Sequence, residues 1–210
     1  MSTSEDDRSR LRPVLEEARR LGFLGPGPID AQVEHALGFG ADGPAPARAL
    51  DLGSGGGVPG LVLAVVRWPA CRWTLLDAGK RRCAYLEWAC AELALGERVT
   101  VRWGRAEEVG REPEFRGTID LVTARGFAAP GITAECAAPF LAPGGRLEVS
   151  EPPTGSTDRW STEGLALLGL GPALRSLPRP GVSIATMVRL APCPDRYPRR
   201  VGIPAKRPLF

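Results

Sequence analysis

At 210 residues with 43% apolar side chains, the chain has room for one domain with a buried core and a short appendage. A net charge of +3 permits RNA as a partner but is too mild to mark a protein that binds nucleic acid by charge alone. The longest apolar run, residues 61–66, is far too short to span a bilayer, and the opening MSTSEDDRSR has no apolar signal region, so a cytoplasmic protein with no membrane partner is expected.

In chain order, two amphipathic helices are predicted near 8–21 and 29–39. Gly/Pro-rich stretches at 22–28 and 40–46 set them apart as a small helical cap over 1–46. From residue 47, short apolar runs alternate with amphipathic ones, as in successive βα units feeding a mostly parallel sheet. Strands are predicted near 48–52, 73–77, 98–103, 118–124 and 145–150, and helices near 58–67, 80–95, 130–140 and 157–168. Gly96 is a usual helix stop, and Pro143-Gly144-Gly145 punctuates the start of the fifth strand. Extended segments at 172–177 and 182–190, joined by the RPG turn at 179–181, suit an antiparallel hairpin at the sheet edge. Five α/β units followed by a hairpin give an α/β fold with a seven-stranded, mostly parallel sheet, the Rossmann-like class I layout of methyltransferases that use S-adenosylmethionine (SAM). The expected division is a cap at 1–46, a methyltransferase domain at 47–192 and a tail at 193–210. Arg196, Arg199, Arg200, Lys206 and Arg207 make the end of that tail basic, a patch suited to phosphate contact or simply to solubility.

The first strand runs into ALDLGSGGGVPG, residues 49–60, the most informative stretch of the chain. Gly53, Gly55 and Gly57 can take positive φ and bring bare main chain against a ligand. The N–H groups near Val58 to Leu61 open a helix and are expected to be unpaired, so they suit a carboxylate or phosphate. Gly55, Gly57 and Gly60 also satisfy G-x-G-x-x-G, so a nicotinamide or flavin competes with SAM here. Asp51 favours SAM, since a carboxylate before the glycines would repel a pyrophosphate and attract an amino-acid ammonium. Asp77, closing WTLLD, stands where a second acid usually holds ribose hydroxyls, roughly 20 residues on.

LDLGSGGGVPG, TLLDAGKRRCAYLE, GRAEE at 104–108, TARGFA at 123–128 and RYPRRVGIPAKRPL at 196–209 together resemble the RsmG (GidB) family of 16S rRNA guanine-N7 methyltransferases. The resemblance implies SAM as cofactor and 16S rRNA or the small ribosomal subunit as partner. It also implies that Gly53 and Val58 line the methionine end of the pocket and that Asp77 lies by the ribose. Ala106 and Glu107 would lie beside the adenine, and Arg125 would reach the cofactor from the substrate side. Two departures stand out. The family's usual Lys-Gly after the fifth strand is replaced by Ser150 and Glu151 within LEVSEPP, which would put negative charge at an RNA-facing rim. The amino-terminal segment also lacks the family's Trp-Asn and Asn-Leu-Thr stretch, though VEHALGF at 33–39 matches part of its histidine segment. These departures leave room for a small-molecule acceptor, or for a non-catalytic SAM-binding module that contacts RNA or protein.

The five cysteines form no C-x-x-C pair and have no histidines nearby, so no metal site is expected and Cys83 and Cys90 read as small buried apolar groups. His35 is either a packing residue or part of a substrate mouth. Trp103, at a strand end, is either edge packing or an adenine platform. Lys80-Arg81-Arg82 opens a helix as a solvated face or as a phosphate contact.

Overall fold

The computed structural model describes residues 5–41, 43–152 and 157–210; the sequence expectations for residues 1–4 and for Pro153 lie outside it. Helix α1 (Glu5–Arg20) starts with Glu5, Asp6 and Asp7 and ends with Arg19 and Arg20, charges that complement the helix dipole. Its Leu11, Val14, Leu15 and Ala18 recur at helical spacing and are all buried. Helix α2 (Ile29–Ala36) buries Ile29, Val33 and Ala36. Both stripes join one apolar cluster with Leu61, Trp73 and Leu75, so the amino-terminal helices and the sheet share a core.

The sheet contains β1 (Arg48–Leu52), β2 (Arg72–Asp77), β3 (Val99–Trp103), β4 (Ile119–Ala124), β5 (Leu141–Glu151), β6 (Leu174–Arg179) and β7 (Val182–Val188), in the order β3-β2-β1-β4-β5-β7-β6. The first five strands pair in parallel, while β7 pairs antiparallel with both β5 and β6. Strands such as β1 and β4 are buried nearly throughout because helices cover both faces. A second apolar cluster, including Leu50, Val122, Phe140 and Leu147, fills the opposite face. Strand order reverses between β1 and β4, and there the carboxyl ends of the strands leave a crevice.

The connections differ from expectation in four places. The helix predicted at 58–67 is a short α3 (Gly60–Val62) that widens into a π-helix over Leu63–Arg67. The segment 157–168 divides into a 3-10 turn at Thr157–Arg159 and α7 (Thr162–Ala166), which Ser161 caps by accepting from the Gly164 N–H. Strand β5 begins at Leu141 rather than at 145, and it takes in Pro143-Gly144-Gly145 as an irregularity where its register against β4 shifts. An unforeseen single-turn helix, α5 (Ala106–Val109), follows β3. The remaining helices are α4 (Lys80–Glu92), α6 (Pro130–Ala137) and α8 (Ile203–Lys206).

Candidate functional site

At the carboxyl ends of β1 to β4 lie two adjoining recesses of about 200 and 420 Å³, which share Gly53, Asp77, Ala78, Arg105 and Phe127. The smaller is mainly apolar, walled by Leu52, Leu76, Ala106, Ile132 and Cys136. The larger is polar, with Arg82 and Arg125 facing Gly22 and Phe23 of the α1–α2 connection.

The turn after β1 explains its own glycines. Gly53 has φ +72°, and a Cβ there would stand 2.6 Å from Cδ2 of Phe127, so only bare main chain fits beneath that ring. At Gly60 a Cβ would fall 2.7 Å from an Asp51 carboxylate oxygen, so this glycine serves close packing between helix and strand. The same contact changes the reading of Asp51. Its Oδ2 accepts from the Gly60 N–H at 3.1 Å and its Oδ1 from the Thr123 hydroxyl at 2.8 Å. Asp51 is buried beneath the turn and lines neither recess, and Val58 is likewise buried outside them. The helix-start N–H groups are not free for a ligand at two positions, because Asp51 takes that of Gly60 and Gly57 O takes that of Leu61. Burial pushes the Asp51 carboxyl up to about 6, against the hydrogen bonds from Thr123 and Gly60.

Asp77, also buried, does reach the cleft. Its Oδ1 accepts from the Gly79 N–H at 2.7 Å and from Arg82 Nε at 2.9 Å, and its Oδ2 accepts from the Gly55 N–H at 3.0 Å. Glu107 lines the smaller recess, where its Oε1 accepts from Arg105 Nη2 at 3.0 Å and from the Gly202 N–H at 3.1 Å. Burial alone would raise the Glu107 carboxyl, but these hydrogen bonds outweigh it and hold the group below its ordinary range. Arg125, at the end of β4, donates from Nη2 to Gln32 Oε1 of α2, while its buried Nη1 has no partner. Burial draws the Arg125 pKa down, and the Asp51 carboxylate partly counters this.

Of the residues singled out from the sequence, Gly53, Gly55, Asp77, Ala106, Glu107 and Arg125 come together around the cleft. Arg82, one of the three cations at the start of α4, lines the larger recess, whereas sequence reasoning missed Phe127, which lies between the two recesses, along with Arg105, Phe23 and Ala205. The Phe in TARGFA and the cation beside Glu107 were visible signals, and Ala205 lies in the tail stretch that carries the family resemblance; nothing local signalled Phe23. Trp103 is half exposed outside the cleft, its indole N–H donating to Ala78 O at 3.1 Å and its ring 4.6 Å from Lys80 Nζ. His35 sits 3.0 Å from Ser150 Oγ through Nε2, and burial together with Arg125 lowers its pKa to about 4, so the ring is neutral. Glu151 is buried and 3.3 Å from Arg159 Nη1, so the expected negative charge does not face the rim. Among the described residues, no group of three or more His, Cys, Asp or Glu is placed to hold a metal ion, and no helix is long and apolar enough to cross a membrane.

The small recess presents apolar side chains beside the Glu107 carboxylate, and the large one is lined by Arg82, Arg125 and the glycines of the turn. Residues 41–149 match the family described as GidB, rRNA small subunit methyltransferase G. The ribosomal RNA small subunit methyltransferase G of Prochlorococcus marinus (strain MIT 9313) is 40% identical, over 78% of this chain and 68% of its own length. That of Symbiobacterium thermophilum is 37% identical over 87% and 80%. The solved O-methyltransferase of Bacillus cereus in complex with SAH superposes with a TM-score of 0.59 at 17% identity, over 87% of this chain and 91% of that one. This last likeness shows the Rossmann-like class I fold.

Proposed function

Because the chain belongs to the GidB family of rRNA small subunit methyltransferases, we propose that it transfers a methyl group to N7 of a guanine in 16S rRNA, in the cytoplasm. The protein is a SAM-dependent methyltransferase. The observation that carries the reading to this cleft is the orphaned Nη1 of Arg125, a buried cation beside the glycine turn with one hydrogen-bonding position unfilled.

The chain's residues fit SAM. Gly53 and Gly55 bring main chain to the cleft floor, and Asp77 offers acceptors to ribose hydroxyls once Arg82 yields its place. Ala106 and Glu107 border the apolar recess for the adenine, and Arg125 faces the carboxylate or an RNA phosphate. Asp51 and Val58 act from below by fixing the turn. When bound, SAM supplies an electrophilic methyl group on sulfur. N7 of guanine has a lone pair and no proton to lose, so the protein needs no general base. Its work is to hold the acceptor in line and keep water out, a positioning effect.

With Glu151 paired to Arg159, the departure from Lys-Gly no longer sets a negative charge against RNA. The test is methyl transfer from labelled SAM to 16S rRNA or small subunits lacking this modification, with the labelled base mapped. Labelled N7-methylguanine is expected; SAM binding without any transfer to rRNA would overturn the acceptor.

A further inference from the structure

The basic tail is docked on the molecule. Arg199 grips Glu135, a fully buried carboxylate on α6, through its own N–H at 2.8 Å, Nε at 2.8 Å and Nη2 at 2.6 Å. Arg116 Nη1 donates to Tyr197 O at 2.9 Å, and Arg111 donates to Pro198 O. Further on, Phe210 fills the space beside Gly164, where a Cβ would fall 2.0 Å from its Cδ1. Between these anchors the segment turns into the cleft: Gly202 donates its N–H to Glu107 Oε1, and Ala205 lines the apolar recess. Ile132 and Cys136 of α6 line that recess too, and Glu135 stands between them in sequence.

We propose that residues 195–210 form a working wall of the cofactor site, with Arg199 as a positioning residue that acts through Glu135 and Gly202 on Glu107. Docking of the segment and binding of the nucleoside end of the cofactor then reinforce each other, as linkage requires. The Glu135–Arg199 pair anchors the wall, because removing Arg199 leaves the Glu135 carboxylate buried and uncompensated. The inference rests on the reading of the cleft as the SAM site.

Two measurements on the full chain test it, with S-adenosylhomocysteine as the probe because it does not turn over. In limited trypsin digestion, cleavage after Arg200 and Lys206 is expected to slow several-fold at saturating probe, while cleavage after exposed Arg175 on the hairpin does not change. In calorimetric titration, Arg199→Ala should weaken probe binding by about five- to tenfold, with part of the loss recovered by Arg199→Lys. A purely structural role would lower the melting temperature of Arg199→Ala and leave its Kd unchanged well below that temperature. Unchanged Kd in a folded Arg199→Ala, or tail cleavage indifferent to bound probe in the wild type, overturns the coupling alone. Failure of the wild type to bind the probe removes the cofactor reading, and the coupling with it.

Discussion

At the scale of single residues, Asp51 shows how a group chosen for ligand chemistry serves the protein first. Its two oxygens hold the start of α3 and the end of β4 to the glycine turn, and burial raises its carboxyl to about 6. A carboxyl whose folded pKa lies above its unfolded value binds its proton more tightly in the folded state. Its contribution to stability is therefore complete below about pH 4 and is lost as the pH rises through about 6. Asn at this position keeps one acceptor for Gly60 and can donate to the Thr123 oxygen, without any charge to desolvate. Asp51→Asn is thus expected to gain stability relative to wild type between pH 4.5 and pH 7, on the order of 2 kcal/mol. Urea unfolding at the two pH values measures the difference; parallel curves would remove the buried, titrating carboxylate.

At the scale of elements, hydrophobic runs made the sheet legible. β1, β2 and β4 fall within a residue of their expected places because parallel strands covered on both faces are short and mainly apolar, with few polar interruptions. The early start of β5 was hidden because it depends on pairing with β4 rather than on local pattern, and no local pattern marked the π-helical end of α3. In the cleft, the glycine turn and Asp77 were legible from their places at strand ends, while Glu107 and Arg125 were named through the family resemblance. The burial of Asp51 was not, since it follows from Thr123 lying across on β4. Tyr85 makes a similar long-range link: its hydroxyl lies 3.0 Å from Val14 O of α1 and 3.4 Å from Gly56 O of the turn, and so joins α1, α4 and the cleft floor. Tyr85→Phe keeps the ring and loses that link, with an expected cost of about 1 kcal/mol in thermal or denaturant unfolding. No measurable change would mean the hydroxyl is equally well hydrated when the chain unfolds.

At the scale of the whole molecule, both ends of the chain reach the same cleft. Phe23, just after α1, lines the larger recess, and Ala205, near the carboxyl terminus, lines the smaller. Helix α1 itself has its apolar stripe in one cluster with Leu61, Trp73 and Leu75, so it contributes to the common core. Burying Leu11, Val14 and Leu15 is worth about 1.5–3 kcal/mol each, a sum comparable with the roughly 5–15 kcal/mol by which a domain is stable. A chain starting at residue 29 would lose that burial and would expose the matching surface of Leu61 and its neighbours. It is therefore expected to lack a cooperative thermal transition, whereas the full chain unfolds in one transition that saturating S-adenosylhomocysteine moves upward as a unit. Calorimetric scans of the two chains decide the matter. A sharp transition for the shortened chain within a few degrees of the full one would make α1 a separable cap, and the cleft would then belong to the sheet and tail alone.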